Sequence, residues 1–253
     1  MKEILLLFIC IIIPVVSINS QQHADLHIFN GEGELRTIYV QRHRLNENYT
    51  LNLDGGSYIG IGTNFWTRWG FRGNIQRTLN HNTKVDIGFM YNRVHLFDKT
   101  NSDNPEESFD VVRHEYRPHQ SLNVNYPRFA SSALQHRFRL EERIFKTAHN
   151  DKTDFRMRLR YRLMHQGRFD GKPIAPKSLF YRTFAEFNFN IYEEADDVFW
   201  VRGRYCLGIG YQFNSRLSAD TNYFFEHNKT SSSEPTTNIH IFQITLRHTI
   251  YWQ

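Results

Sequence analysis

Residues 153–165 read TDFRMRLRYRLMH. Phe155, Met157, Leu159, Tyr161 and Leu163 fall on one parity, and Arg156, Arg158, Arg160 and Arg162 on the other. A strict period of two is a β-strand with one apolar face and one guanidinium face; a helix would smear both sets around its circumference. A sheet with two such faces fits a membrane β-barrel, apolar towards lipid and charged towards its own axis.

The flanking segments repeat the pattern. Residues 134–146 set Phe138, Leu140 and Ile144 against Arg137, Arg139, Glu141 and Arg143, with Glu142 a blemish on the apolar parity. Residues 179–192 set Tyr181, Ala185, Phe187, Phe189 and Ile191 against Arg182, Glu186 and two asparagines. Residues 198–213 set Tyr205, Leu207, Ile209 and Tyr211 against Arg202 and Arg204. Residues 216–226 set Leu217, Tyr223 and Phe225 against Asp220 and Glu226, and residues 238–252 end aromatic after Phe242, Ile244 and Leu246, with Arg247 among the polar positions.

Upstream, residues 64–77 and 83–96 alternate too, with a parity slip near Arg93 that predicts a bulge. Residues 110–125 place Glu115, Arg117 and His119 opposite Tyr116, Leu122 and Val124, while Pro118 argues against a regular central strand or marks a bulge. Residues 35–44 alternate least well. The expected fold is all-β: a single antiparallel up-and-down transmembrane barrel of about ten strands, or twelve if residues 45–63 supply a pair. If the C-terminus is periplasmic, the long connections at 97–109 and 227–237 face outside and the short ones at 78–82 and 213–216 face the periplasm; the long 166–177 breaks this rule.

The chain begins with Lys2, an apolar run from Ile4 to Val16 and small polar residues, the form of a secretory signal peptide cleaved after Ser20. The run is shorter than the roughly 20 residues a spanning helix needs. The expected organisation is a signal peptide at 1–20, a periplasmic lead at 21–34 and a barrel at 35–253, placed in a bacterial outer membrane. Cys10 belongs to the signal, so Cys206 remains alone and no intramolecular disulfide is available.

Alternation alone also fits a soluble barrel that binds an apolar ligand. Size and residue choice argue otherwise. So many Phe, Tyr and Trp side chains overfill a small interior. The charged face is rich in Arg, suited to bidentate carboxylate pairing, and nearly free of Lys. Aromatics recur near strand ends, as in membrane-interface girdles. An Arg on the lipid face at the midplane costs about 2–4 kcal/mol, so turning residues 153–165 by one position exposes up to four, roughly 8–16 kcal/mol. A whole domain is stable by only about 5–15 kcal/mol.

The segments HRFRLEERI (136–144), FRMRLRYRL (155–163), YRTFAEFNFNI (181–191), VRGRYCLGIGYQF (201–213) and LSADTNYFFEH (217–227), with Glu115-x-Arg117 and Gln120 upstream, are similar to a family of outer-membrane barrels of unknown function common in Bacteroidota. The resemblance implies a small outer-membrane barrel and brings no substrate or catalytic residue.

The candidate site is an interior ion-pair network: Glu115, Arg117, Arg137, Arg139, Glu141, Arg143, Arg156, Arg158, Arg160, Arg162, Arg182, Glu186, Arg202, Arg204, Asp220, Glu226 and Arg247. It reads either as a structural plug or as an anion-selective path, and arginines outnumber acids. With about ten strands the plug is favoured, because only much wider barrels leave an aqueous channel. Nucleic-acid binding is excluded despite the net charge of +5, because cations and aromatics lie on opposite faces and an export signal precedes them. Neither HExxH, GxSxG nor a phosphate loop occurs. No metal, cofactor or catalytic residue is expected; the enzymatic alternative is a lipid- or lipopolysaccharide-modifying enzyme with a Ser/His pair on the outer rim. The expected partners are membrane lipid, lipopolysaccharide and small anions, around a monomer. Gly208 and Gly210 read as relief for close interior packing, and Cys206 as a small filler.

Overall fold

The computed structural model describes residues 33–61, 66–97, 110–126, 132–148, 150–192, 200–229 and 237–252. The expected signal segment and most of the lead lie outside them. Within them the chain forms eleven strands: β1 (Gly33–Arg44), β2 (Tyr49–Gly60), β3 (Trp66–Thr78), β4 (Thr83–Phe97), β5 (Asp110–Asn125), β6 (Ala133–Thr147), β7 (Asn150–Gly167), β8 (Ser178–Tyr192), β9 (Trp200–Gln212), β10 (Leu217–Asn228) and β11 (Thr237–Tyr251). Each strand pairs with its sequence neighbours, and β1 pairs with β11 to close the barrel.

Several expectations are corrected. Residues 45–63 supply one strand, β2, instead of none or a pair, which gives eleven. The closing joint is consequently parallel, running in register from Gly33↔His240 to Arg44↔Tyr251, while every other joint is antiparallel. An odd number of alternating strands leaves its first and last pointing the same way. Gly33 and Glu34, expected in the lead, already pair in β1. β1 begins at one rim, here the N-terminal rim, and β11 ends at the opposite, C-terminal rim.

The slip expected at Arg93 is absent, since β4 pairs with β5 from Thr83 to Phe97 without a shift. Arg93 takes the outward parity and lies over the Trp66 ring, 5.5 Å from its centroid. Pro118 neither ends β5 nor makes a bulge. It pairs with Phe89 on the β4 side, while on the β6 side the ladder passes from Tyr116↔Ile144 to His119↔Glu141 in unchanged register. Proline lacks an N–H, so only a local stretch of pairing is missing. That register places Pro118 opposite Glu142, so the two blemishes of the sequence face each other. The Gln120 amide donates to Glu142 Oε1 at 3.3 Å.

At the C-terminal rim three connections use one device. Asn46, Asn80 and Asn214 each turn a side-chain oxygen back to accept two backbone N–H groups, at 2.8–2.9 Å. An Asx turn satisfies the donors that leave the ladder. The 166–177 connection also lies at this rim, and it is tied down. Arg168 pairs with Asp170 and donates to the Pro173 carbonyl at 3.1 Å, and Lys177 N donates to Gln212 O at 2.6 Å. The Asp170 carboxyl sits below the ordinary range: a desolvation cost that raises it is outweighed by the Lys172 N–H and the Arg168 guanidinium.

Candidate functional site

The pleat sends alternate side chains to opposite faces, and closure makes one face an interior. The buried parity is polar. Glu115, Glu141, Glu186, Asp220 and Glu226 are 1–3 % exposed, and Asn92 is fully buried. The other parity is apolar and open: Phe71, Ile75, Ile87, Leu207, Ile209 and Ile244 are 50–67 % exposed. The strands of residues 155–163 and their neighbours are thus oriented with rings outward and guanidinium groups inward.

The network is continuous. Arg36, on β1, bonds Glu34 at 2.5 Å and reaches Glu226, on β10, at 3.5 Å. Glu226 also takes Arg204 and, at 3.3 Å, Arg202, both from β9. Arg204 lies 3.8 Å from Glu186 on β8. Arg160, on β7, bridges Glu186 and Glu141 at 2.5 Å each. Glu141, on β6, also takes Arg158 at 2.6 Å and Arg117 at 3.7 Å. Arg117 and Arg143 both meet Glu115 at 2.6 Å. Signs alternate along the whole relay, so Glu115, Glu141, Glu186 and Glu226 each face two or more guanidiniums. Burial of such charges is tolerable only with this degree of pairing.

The other expected members divide. Arg137 pairs with Glu186 at 2.7 Å. Arg182 (3.1 Å) and Arg247 share Asp220. Arg139 bonds Ser121 at 2.8 Å and lies 3.8 Å from Asp86. Arg156 stands apart, paired with Asp154 at 2.7 Å where both are more than a third exposed. Arg162 reaches Gln135 at 3.4 Å and lies over the Phe184 ring at 5.3 Å.

Sequence reasoning missed several participants. Arg72 pairs with Asp54 at 2.7 Å, Asn123 donates to Asp86, and Asn92 donates to Glu115, both at 2.9 Å. The alternation that marks Arg137 and Arg139 also marks Arg72 and Asp86. Glu34 and Arg36 had no comparable signal in a strand of poor alternation. An apolar interior cluster was also missed, in which Cys206, Phe224, Ile239 and Ile241 pack with Phe184. Arginines cover these rings, with Arg204 5.8 Å from the Phe224 centroid, so aromatic and charged residues share one face there.

On the outer face, histidines pair with tyrosine hydroxyls across strands. Tyr91–His114 and Tyr223–His240, both 2.7 Å, lie towards the N-terminal rim. His136–Tyr161 at 2.8 Å and Tyr39–His248 at 3.4 Å lie towards the C-terminal rim. The Trp252 indole donates to His43 at 3.2 Å. Among the described residues no group of three His, Cys, Asp or Glu is arranged to hold a metal ion.

No curated relative and no solved structure matches the chain. A family model described as "Protein of unknown function (DUF2490)" matches residues 37–237, from the first strand to the start of the last. This chain, a closed eleven-stranded barrel, therefore belongs to that family of unknown function.

Proposed function

We propose that the protein is a monomeric outer-membrane β-barrel whose interior is plugged by its own ion pairs, with a structural role or passage limited to small anions. The observation that carries this reading is the pairing of two facts. Large apolar side chains are half or more exposed on the outside, while five interior carboxylates are at most 3 % exposed. In water the first arrangement is unfavourable. In a bilayer it is what a barrel needs. The strands, 12–18 residues long, exceed the roughly 9–11 that cross a hydrocarbon core at a tilt. The Tyr–His pairs flank the apolar band on both sides, where amphipathic rings favour the headgroup level.

Among the described residues the buried side chains are mostly polar or charged, where a soluble ligand-binding barrel presents an apolar chamber. The reading assigns the protein no reaction. Among the histidines a rim hydrolase would draw on, His136 and His240 meet tyrosine hydroxyls and His227 meets the Asn238 side chain, all on the outer face. Lipid and lipopolysaccharide are its surroundings.

Fractionation and planar-bilayer recording test the proposal. The protein is expected in the membrane fraction, extracted only by detergent, with conductance far below that of an open porin. A soluble protein would overturn the membrane assignment, and a large, steady conductance would overturn the plug.

A further inference from the structure

The alternation of signs breaks down at the C-terminal rim. A cavity of about 420 Å³ opens there, and Arg42, Arg44, Arg182, Arg216 and Arg247 line it without a single carboxylate. Arg182 and Arg247 reach one carboxylate, Asp220, which is not part of the wall. Arg42 donates to the Asn52 side-chain oxygen at 3.4 Å and has no ion pair among the described residues, and Arg44 lies over the Tyr251 ring at 5.3 Å. Residues 174–176, in the tied-down 166–177 connection, form part of the wall. The long connection at a rim of short turns thus acquires a place: it bounds this cavity.

We infer that the cavity binds a small, multiply charged phosphate compound. Guanidinium forks pair with phosphate oxygens in a bidentate manner and never lose their charge. A concave, low-dielectric wall of one sign focuses its field on the ligand. The volume lies in the lower part of the roughly 300–1,000 Å³ usual for small-molecule sites. Arg42, Arg44, Arg182 and Arg247 take the inward parity and Arg216 reaches the cavity from the turn before β10, so the ligand arrives along the axis from the aqueous compartment at this rim. A lipid headgroup, held outside the wall, does not reach them. This deepens the small-anion part of the proposed function and depends on that reading only for the compartment.

The test is calorimetric titration of the full chain, folded in detergent micelles, with inorganic pyrophosphate at constant ionic strength. One saturable site is expected. The double variant R42Q/R216Q should weaken binding roughly tenfold or more, the scale of one or two charge-assisted hydrogen bonds. R156Q, near the other rim, should leave it unchanged. Neither Arg42 nor Arg216 belongs to the ion-pair relay; should the double variant misfold, R44Q supplies the same comparison. Absence of saturable heat, or equal weakening by R156Q, would overturn the site. Short-chain phosphatidic acid in mixed micelles represents the headgroup source, and binding of it without binding of pyrophosphate would refute a soluble ligand. Conductance is not read in this titration, so an open channel would remove the plug and leave the site standing, and the reverse holds too.

Discussion

Glu141 accepts from Arg158 and Arg160 while Arg117 stands near, and it is 1 % exposed. Asp154 pairs with Arg156 and has 39 % of its side chain exposed. Buried and exposed pairs behave differently when one partner is removed. Glu141→Gln leaves buried guanidiniums uncompensated and is expected to cost about 3–5 kcal/mol. Asp154→Asn should cost at most about 1 kcal/mol. Urea unfolding in micelles measures both, and equal effects would contradict a sealed interior. At this scale the sequence was legible in part. The parity of Arg156 to Arg162 announced which residues turn inward. It did not announce which carboxylate each would meet, because that depends on cross-strand register. Nor did it reveal Phe184 and Phe224, since an arginine-covered ring can share the charged parity.

Between Gly208 and Gly210 the β9 wall is thin because neighbours fill the space. A Cβ on Gly210 would collide with the Phe180 ring, and one on Gly208 with Asn222. Gly55 on β2 is different: its Cβ would meet only Gly70 O at 3.5 Å and Phe71 Cβ at 3.9 Å. Gly210→Ala is expected to destabilise by about 1–3 kcal/mol through overpacking. Gly55→Ala should fall within about 0.5 kcal/mol of neutral. The same unfolding assay distinguishes them, and a harmless Gly210→Ala would mean the interior is looser than described. The pair of glycines was readable in advance as packing relief. The Asx turns at Asn46, Asn80 and Asn214 were not singled out, although Asn in a short polar break between alternating segments is the signal for them. Pro118 misled for a physical reason. A proline costs the strand its hydrogen bond on one side only, and the β4 side of the ladder holds the segment in line.

The parallel joint sets the shape of the whole molecule. Thr37 and Ile244 are register partners across it, both on the outer face. In a Cys206→Ser background, Thr37→Cys with Ile244→Cys is expected to form a disulfide on mild oxidation, since adjacent strands lie about 4.8 Å apart. Thr37→Cys with His248→Cys, displaced along the strand, should not. Failure of both would mean another strand separates β1 from β11. Strand number was the least legible feature of the chain. Residues 45–63 carry Gly55, Gly56 and Gly60, which blur the alternation that elsewhere marks a strand. The outward direction of the apolar face rested on side-chain volume and the choice of Arg over Lys, and the exposed Leu207 and buried Glu186 agree with it. The central claim, that this face meets lipid, is tested most directly by spin labels placed singly at positions 205, 207 and 209 of the Cys206→Ser protein in vesicles. These labels are expected to collide with oxygen and to be shielded from a water-soluble nickel complex. Free access of the nickel complex to 207 and 209 would contradict it.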